Sequence, residues 1–321
     1  MPKSRFHRSL LYWLAFGAFM CLIPLVASTG VVRLLIFANF LAIFAMSWDI
    51  ISGRTGYISF GHPFLIGIAG YTTAILTRHL DAPLFVSIPL AVLATLVGGT
   101  LFFLPALRIR GTYFALVTLA FMELMYQLTQ VIAPKITGGT RGLSGLKTII
   151  LGAVPNYYLT FCVMFAIAFC LWLITRTRIG TALAAIRMDE EAVTALGLST
   201  LKLKLFAFGA SAAVAGIGGA LYVHYIGSIA PRALFDINFL FTILVAALLG
   251  GSGTIAGPIL GAYFLTFLLE YLRPYLPGAE RYFIYGAITL VVYVLEPRGL
   301  HSILERAYGK LSPIVARGLA K

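Results

Sequence analysis

Ten apolar runs recur along the chain, near residues 11–28, 31–51, 60–77, 83–105, 111–133, 156–175, 204–225, 238–250, 254–272 and 283–296, and one charged stretch divides them. A run of about 20 apolar residues is what an α-helix needs to cross the hydrocarbon core of a bilayer. Inside that core every backbone N–H and C=O must be paired within the protein, which leaves helices and closed barrels as the only spanning structures. Runs near this length specify helices, although 238–250 is short for a full crossing. The reading is therefore all-α: a polytopic helical membrane protein of about ten transmembrane helices with broken or re-entrant segments, forming a single transmembrane domain over 1–321.

Composition enters as a check. The chain is 60% hydrophobic and 11% charged, against about 25% charged for a soluble domain, so it could not cover itself with a water-compatible surface. Its formal net charge of +13 raises nucleic acid as a partner, but no basic groove with interleaved aromatics is visible and none is expected. The cations fall where the positive-inside bias puts them. Lys3, Arg5 and Arg8 open the chain, and Arg298, Arg306, Lys310, Arg317 and Lys321 close it. Both termini are expected in the cytoplasm, which requires an even number of crossings. Arg54, Arg108, Arg110, Arg176, Arg178, Arg187, Lys202 and Lys204 then also fall inside, while Lys135, Arg141 and Lys147, in the loop 134–155, fall outside against the bias. The basic N-terminal flank resembles that of a signal peptide, but the apolar run after it is long and lacks a small-residue cleavage site, so an uncleaved first span is expected. Cys21, Cys162 and Cys170 all sit in apolar runs and read as small buried packing residues, not as a disulfide framework.

Two places interrupt the apolar pattern with glycine and proline: "GRTGYISFGHP" (53–63) and "LLGGSGTIAGP" (248–258). Such breaks are tolerated at membrane depth only where protein or a water-filled cavity pairs the freed backbone, and paired breaks in two halves of a transporter often flank its substrate path. Tight cytoplasmic turns are the other reading. A weak likeness between "TGYISFGHP" and "SGTIAGP" leaves an internal repeat open.

The charged stretch is "AAIRMDEEAVTALGLSTLKLK" (184–204). Over 181–196, Leu183, Ile186, Val193 and Leu196 recur at helical spacing on one side, with Arg187, Asp189, Glu190 and Glu191 on the other. Arg187 is expected to meet Glu190 or Glu191 one turn on. Gly197 stands where a left-handed helix stop is wanted, and Lys202 and Lys204 mark the interface, where long side chains snorkel to water. The acidic triplet suits a groove on another protein better than an anionic lipid surface.

With these residues in view, "TRIGTALAAIRMDEEAVTALGLSTLKLKLFAFGASAAVAGIGGALY" (177–222) resembles the coupling region of bacterial branched-chain amino acid ABC transporter permeases, the LivM-type subunit in particular. The likeness continues in "GRTGYISFGHPFLIGIAGYTTAIL" (53–76), "LRIRGTYFALVTLAFMELM" (107–125), "ITGGTRGLSGL" (136–146) and "LLGGSGTIAGPILGAYF" (248–264), with Pro63 and Ala69 as departures, and covers about nine-tenths of the chain. The resemblance implies a permease of the bacterial inner membrane that works with a second, homologous permease, two ATP-binding subunits and a periplasmic solute-binding protein. It places the contact with the ATPase in a coupling segment of about 178–204, with Arg187, Asp189, Glu190, Glu191, Ala192 and Gly197 as its candidate residues. ATP and magnesium would be bound by the partners, because this chain has no GxxxxGK[ST] phosphate loop. It carries no cofactor, metal-ligand spacing or nucleophile–base pair and reads as non-catalytic. Relatives in the family serve urea, other small amides or amino acids, and aromatic acids, so the substrate stays open.

Candidates for the translocation path are Ser59, Gly61, His62, Glu123, Gly251 and Gly253. Glu123 lies mid-run, where a carboxylate must face protein or water. It reads either as a proton site in a self-sufficient, ion-coupled transporter, the rival function, or as a packing residue beside Gln127 and Gln130. His62 reads as a path residue or a helix-start cap. Asp49 and Arg54 are expected to form a structural ion pair, and Glu270 and Arg273 a surface pair of small value. The glycine-rich 137–145 offers open amides to a carboxylate or a docking protein, or is a plain loop.

Overall fold

A computed structural model describes residues 3–109, 111–131, 134–276, 280–296, 299–303 and 306. Arg110, Arg298, Lys310, Arg317 and Lys321, together with the side chains of Lys3, Arg5 and Arg8, lie outside what is described. Ten helices stand where the ten apolar runs predict them: α1 (Lys3–Val26), α2 (Thr29–Trp48), α3 (His62–His79), α4 (Leu84–Ala106), α5 (Thr112–Val131), α7 (Ala153–Thr175), α10 (Thr200–Ile226), α12 (Ile237–Gly250), α13 (Ala256–Leu272) and α14 (Glu280–Leu295). Between them lie the short α6 (Pro134–Thr137), α8 (Arg178–Met188), α9 (Glu190–Ala195) and α11 (Pro231–Leu234). Among the described residues, six segments are long and apolar enough to cross a membrane by length and composition alone: Thr29–Gly53, Leu84–Ala106, Thr112–Val131, Ala153–Thr175, Thr200–Ile226 and Pro231–Gly250. The chain is a multi-pass helical membrane protein.

Local chemistry sets several helix ends. Ser28 and Asp236 cap α2 and α12 by accepting from Val31 N and Asn238 N, while Pro63 and Pro231 occupy first-turn positions where no N–H is needed. Lipid supplies little hydrophobic drive between helices, so close packing and polar stitches hold the bundle together. At its centre α2 is enclosed by α3, α7, α10, α12 and α13. A Cβ on Gly219 of α10 would fall 2.7 Å from Ile66 O, so the backbones of α3 and α10 approach more closely there than any side chain permits. Asn39 of α2 donates to Thr160 Oγ1 on α7 at 3.1 Å and accepts from the Tyr263 hydroxyl on α13, tying three helices.

Two polar ends emerge. At one, His79 meets Ile136 O at 2.9 Å, Lys147 pairs with Asp81 at 3.1 Å, and Leu146 N donates to Gly227 O at 3.0 Å. There β1 (Leu143–Ser144) pairs antiparallel with β2 (Ser228–Ile229), in register Leu143 with Ile229. The glycine-rich 137–145 is thus an ordered cap, not a plain loop. Glu270 and Arg273 form the expected exposed pair at 3.5 Å. The opposite end gathers Asp49–Tyr57, Leu107, Arg187–Glu190, Lys204 and Gly253.

Three expectations need correction. Cys21, Cys162 and Cys170 are exposed on the bundle exterior; a thiol that packs as a small hydrophobe is as much at home against lipid as in a core. The helix expected over 181–196 is two helices, broken at Asp189 (φ −159°, ψ 106°), and Leu196 is exposed, not on the packed side. Lys204 does not snorkel: it is buried.

Candidate functional site

The break at Asp189 follows from its side chain. Asp189 Oδ1 accepts from Glu191 N and Ala192 N at 2.9 and 3.0 Å, satisfying donors that the first turn of α9 leaves unpaired. Glu190 and Glu191 then fall in that first turn, where the helix dipole favours negative charge. Gly197 (φ +78°) ends the segment in the left-handed conformation expected of it. Leu183, Ile186 and Val193 are buried and seat both helices on the bundle. The opposite face leaves Met188 and Leu196 88% and 79% exposed, beside the exposed Asp189, Glu191 and Ala192.

Three tethers join this segment to the bundle. Arg187 does not pair with Glu190 or Glu191; it donates from Nη1 to the carbonyl of Gly53, at the end of a π-helical turn (Asp49–Gly53) that extends α2. Glu190 takes the Tyr57 hydroxyl on one oxygen and Lys204 Nζ on the other, the latter at 2.9 Å. Lys204 also donates to Tyr57 Oη and Leu107 O, both at 3.0 Å, and lies 4.4 Å from the centre of the Tyr57 ring. The Lys204 and Glu190 side chains are only 5% and 12% exposed, so their attraction is little screened.

The two interrupted stretches meet at the same junction. Asp49 is buried and accepts from Gly253 N at 2.7 Å; the ion pair expected with Arg54 is absent from the described contacts. A Cβ on Gly53 would lie 2.7 Å from Gly253 N, and one on Gly253 would lie 2.6 Å from Arg187 Nη1. Bare backbone at both positions lets the π-turn, the 251–255 turn and Arg187 touch. The stretch 251–255 is a tight turn between α12 and α13, while 56–61 is non-helical chain packed among helices. Its backbone is paired by side chains, Ser59 N to Ser52 Oγ at 3.0 Å and Phe60 N to Thr118 Oγ1 at 2.9 Å, as irregular chain at such depth requires.

The path candidates separate into three groups. Gly251 and Gly253 belong to the junction. Ser59, Gly61 and His62 are buried beside it, with Gly61 against Phe103 and Thr118 and His62 Nε2 3.0 Å from Ser211 Oγ. His62 Nδ1 has no hydrogen-bond partner among the described residues. Glu123 stands apart, exposed on the flank of α5, accepting from Gln127 Nε2 at 2.7 Å. Reasoning from sequence missed Gly53, Tyr57, Leu107 and the burial of Lys204. A lysine four residues into a span, facing a tyrosine beside a glycine break, is the signal that was there to follow.

Residues 30–293 match the family described as branched-chain amino acid transport system / permease component. The high-affinity branched-chain amino acid transport system permease protein LivM of Salmonella typhimurium is 28% identical over 306 residues, covering 86% of this chain and 71% of that protein. The LivM protein of Escherichia coli matches with the same identity and coverage. The autoinducer 2 import system permease protein LsrC of Yersinia pestis is 34% identical over 182 residues, 53% of this chain and 49% of its own. No solved structure matches the chain.

Proposed function

The chain belongs to the family of branched-chain amino acid transport permease components, and on that premise we propose that it is the membrane-spanning subunit of an ATP-driven importer of branched-chain amino acids in a bacterial inner membrane. α8 and α9 dock on an ATP-binding subunit, with Met188 and Leu196 as the apolar contacts and Asp189 and Glu191 as the polar rim. The nucleotide and its magnesium belong to that partner, and this subunit is not itself catalytic. The end that carries the junction, together with both termini, faces the cytoplasm. The cap built from β1, β2 and 137–145 faces outward and receives the solute-binding protein. A second, homologous permease covers the flank that bears Glu123.

The observation that carries this reading is the junction. A segment with an exposed docking face is bonded through Arg187 and Glu190 to the π-turn of α2, the 56–61 chain and α10. Force applied to α8–α9 therefore reaches the centre of the bundle without passing through lipid. Its direction can reverse as the partner closes and reopens, which is what alternating access needs. The substrate follows from the longer matches, since the LivM relatives align with 86% of the chain and LsrC with 53%.

Gly197→Val tests the assignment. A Cβ there meets nothing within 4 Å, so the substitution acts only by straining the left-handed stop and re-aiming α9. Leucine uptake and solute-stimulated ATPase of the reconstituted complex should fall together while membrane insertion persists; unchanged coupling would refute the docking role. Uptake by the chain alone, driven by a pH gradient with no ATPase present, would establish the ion-coupled alternative instead.

A further inference from the structure

The flank that bears Glu123 holds a cavity of about 570 Å³ between α5 and the α11–α12 corner, within the roughly 300–1,000 Å³ of small-molecule sites. Leu119, Met122, Phe235 and Ile237 give its walls an apolar side, Glu123 an acid and Arg232 a base, with Tyr126 and Asn238 as neutral polar groups between them. Arg232 is exposed and has no hydrogen bond or ion pair among the described residues. Asp236, the other acid there, is occupied in capping α12 and bonding Asn238. Among the described residues Glu123 is held only by Gln127, so its carboxylate keeps lone pairs free to accept.

Depth makes this set unusual. Glu123 lies 11 residues past Thr112, roughly 17 Å along α5, near the middle of a hydrocarbon core of about 30 Å. A carboxylate at that level must face protein or water, and among the described residues it is left exposed. An anion, an uncommitted guanidinium and a branched apolar wall in one cavity are the complement of one ligand chemistry: a zwitterionic α-amino acid with an aliphatic side chain.

We propose that this cavity is a substrate-binding station on the transport path, with Arg232 taking the α-carboxylate, Glu123 the α-ammonium, and Leu119, Met122, Phe235 and Ile237 the side chain. The proposal rests on the transport reading above and assigns that reading a place. Arg232 is suited to the carboxylate because its planar donors match two oxygens at once, and Glu123 because it accepts only. The solute-binding protein selects the substrate in the aqueous phase; this station holds it between release and exit.

The test uses the complete transporter in vesicles, with Ile237→Cys introduced on the cavity wall, which a transport path through the seam with the second permease must open to water, and labelled by a membrane-impermeant maleimide. Saturating L-leucine should slow labelling, whereas isoamylamine, which keeps the ammonium and branched chain but lacks the carboxylate, should not. Arg232→Gln should abolish the protection and raise the KM for L-leucine uptake by about tenfold or more, the scale expected for a lost charge-assisted contact, with partial rescue by Arg232→Lys. If the wild type takes up L-leucine but the cysteine is labelled at the same rate with and without it, or isoamylamine protects equally, the station is wrong and the transport reading stands. If the wild type with ATP takes up no L-leucine, both fall. Copurification of the ATPase subunits confirms assembly of each variant.

Discussion

Removing the charge of Glu190 gives the sharpest test of the junction. Lys204 is 5% exposed, and its remaining contacts would be a carbonyl, a hydroxyl and an aromatic face, none carrying a full negative charge. Breaking a buried ion pair by removing one partner costs about 3–5 kcal/mol, because the other charge is left uncompensated. Here that cost falls on the attachment of α8–α9, since the pair bridges α9 to α10. The opening free energy of the segment should drop by the same amount. At 3 kcal/mol, the amides of Val193 and Leu196 in Glu190→Gln should exchange with deuterium on the order of a hundredfold faster, while those of α2 and α10 keep their protection. Replacing both partners, Glu190→Gln with Lys204→Met, removes the orphaned charge and should recover most of the lost protection. Uptake per ATP hydrolysed should stay low in the double variant, because the charge link is still missing. Hydrogen-exchange mass spectrometry of peptides covering 187–198 reads these outcomes. Single variants that leave exchange unchanged, or a double variant that merely adds their effects, would refute the idea that this pair anchors the segment.

Gly253→Ala places a methyl 2.6 Å from Arg187 Nη1 at φ +85°; it should displace Arg187 from Gly53 and lower solute-stimulated ATPase severalfold, while the Lys204–Glu190 pair keeps the segment protected from exchange. Exchanging Met188 and Leu196 for serine removes two exposed apolar side chains, each worth about 1.5–3 kcal/mol when buried; copurification of the ATP-binding subunit should weaken, with thermal stability of the permease alone unchanged.

What could be read in advance divides along physical lines. The ten helices were legible because lipid dictates both their length and their apolarity, and each run maps onto one helix. The left-handed stop at Gly197 was legible because its signal is local. The break at Asp189 was obscured because Asp189, Glu190 and Glu191 also fit the polar face of one continuous helix, and periodicity alone cannot separate a face from a cap. The partner of Arg187 was hidden for a different reason: a backbone carbonyl accepts as well from any residue type, so Gly53 carries no side-chain mark of the contact. Lys204 looked like an interfacial lysine because burial at a helix start depends on what lies opposite, here Tyr57 and Leu107 from elements 97 or more positions distant. The cavity on the α5 flank joins Glu123 to Arg232, and no spacing rule connects positions so far apart.

α10 has 27 residues with no proline among them, takes Lys204 near its start, and runs directly into β2 past Gly227. A continuous helix of that length is a rod of roughly 40 Å, so a tilt of about 5° at one end would carry the other end roughly 3.5 Å. The β1–β2 ladder rides on that far end. In the proposed assembly, nucleotide-driven movement at one end of α10 and the fit of a solute-binding protein at the other would be two readings of a single lever angle. Whatever steadies the β1–β2 cap should, in that assembly, bias the proposed ATP-binding partner, and the reverse should hold equally.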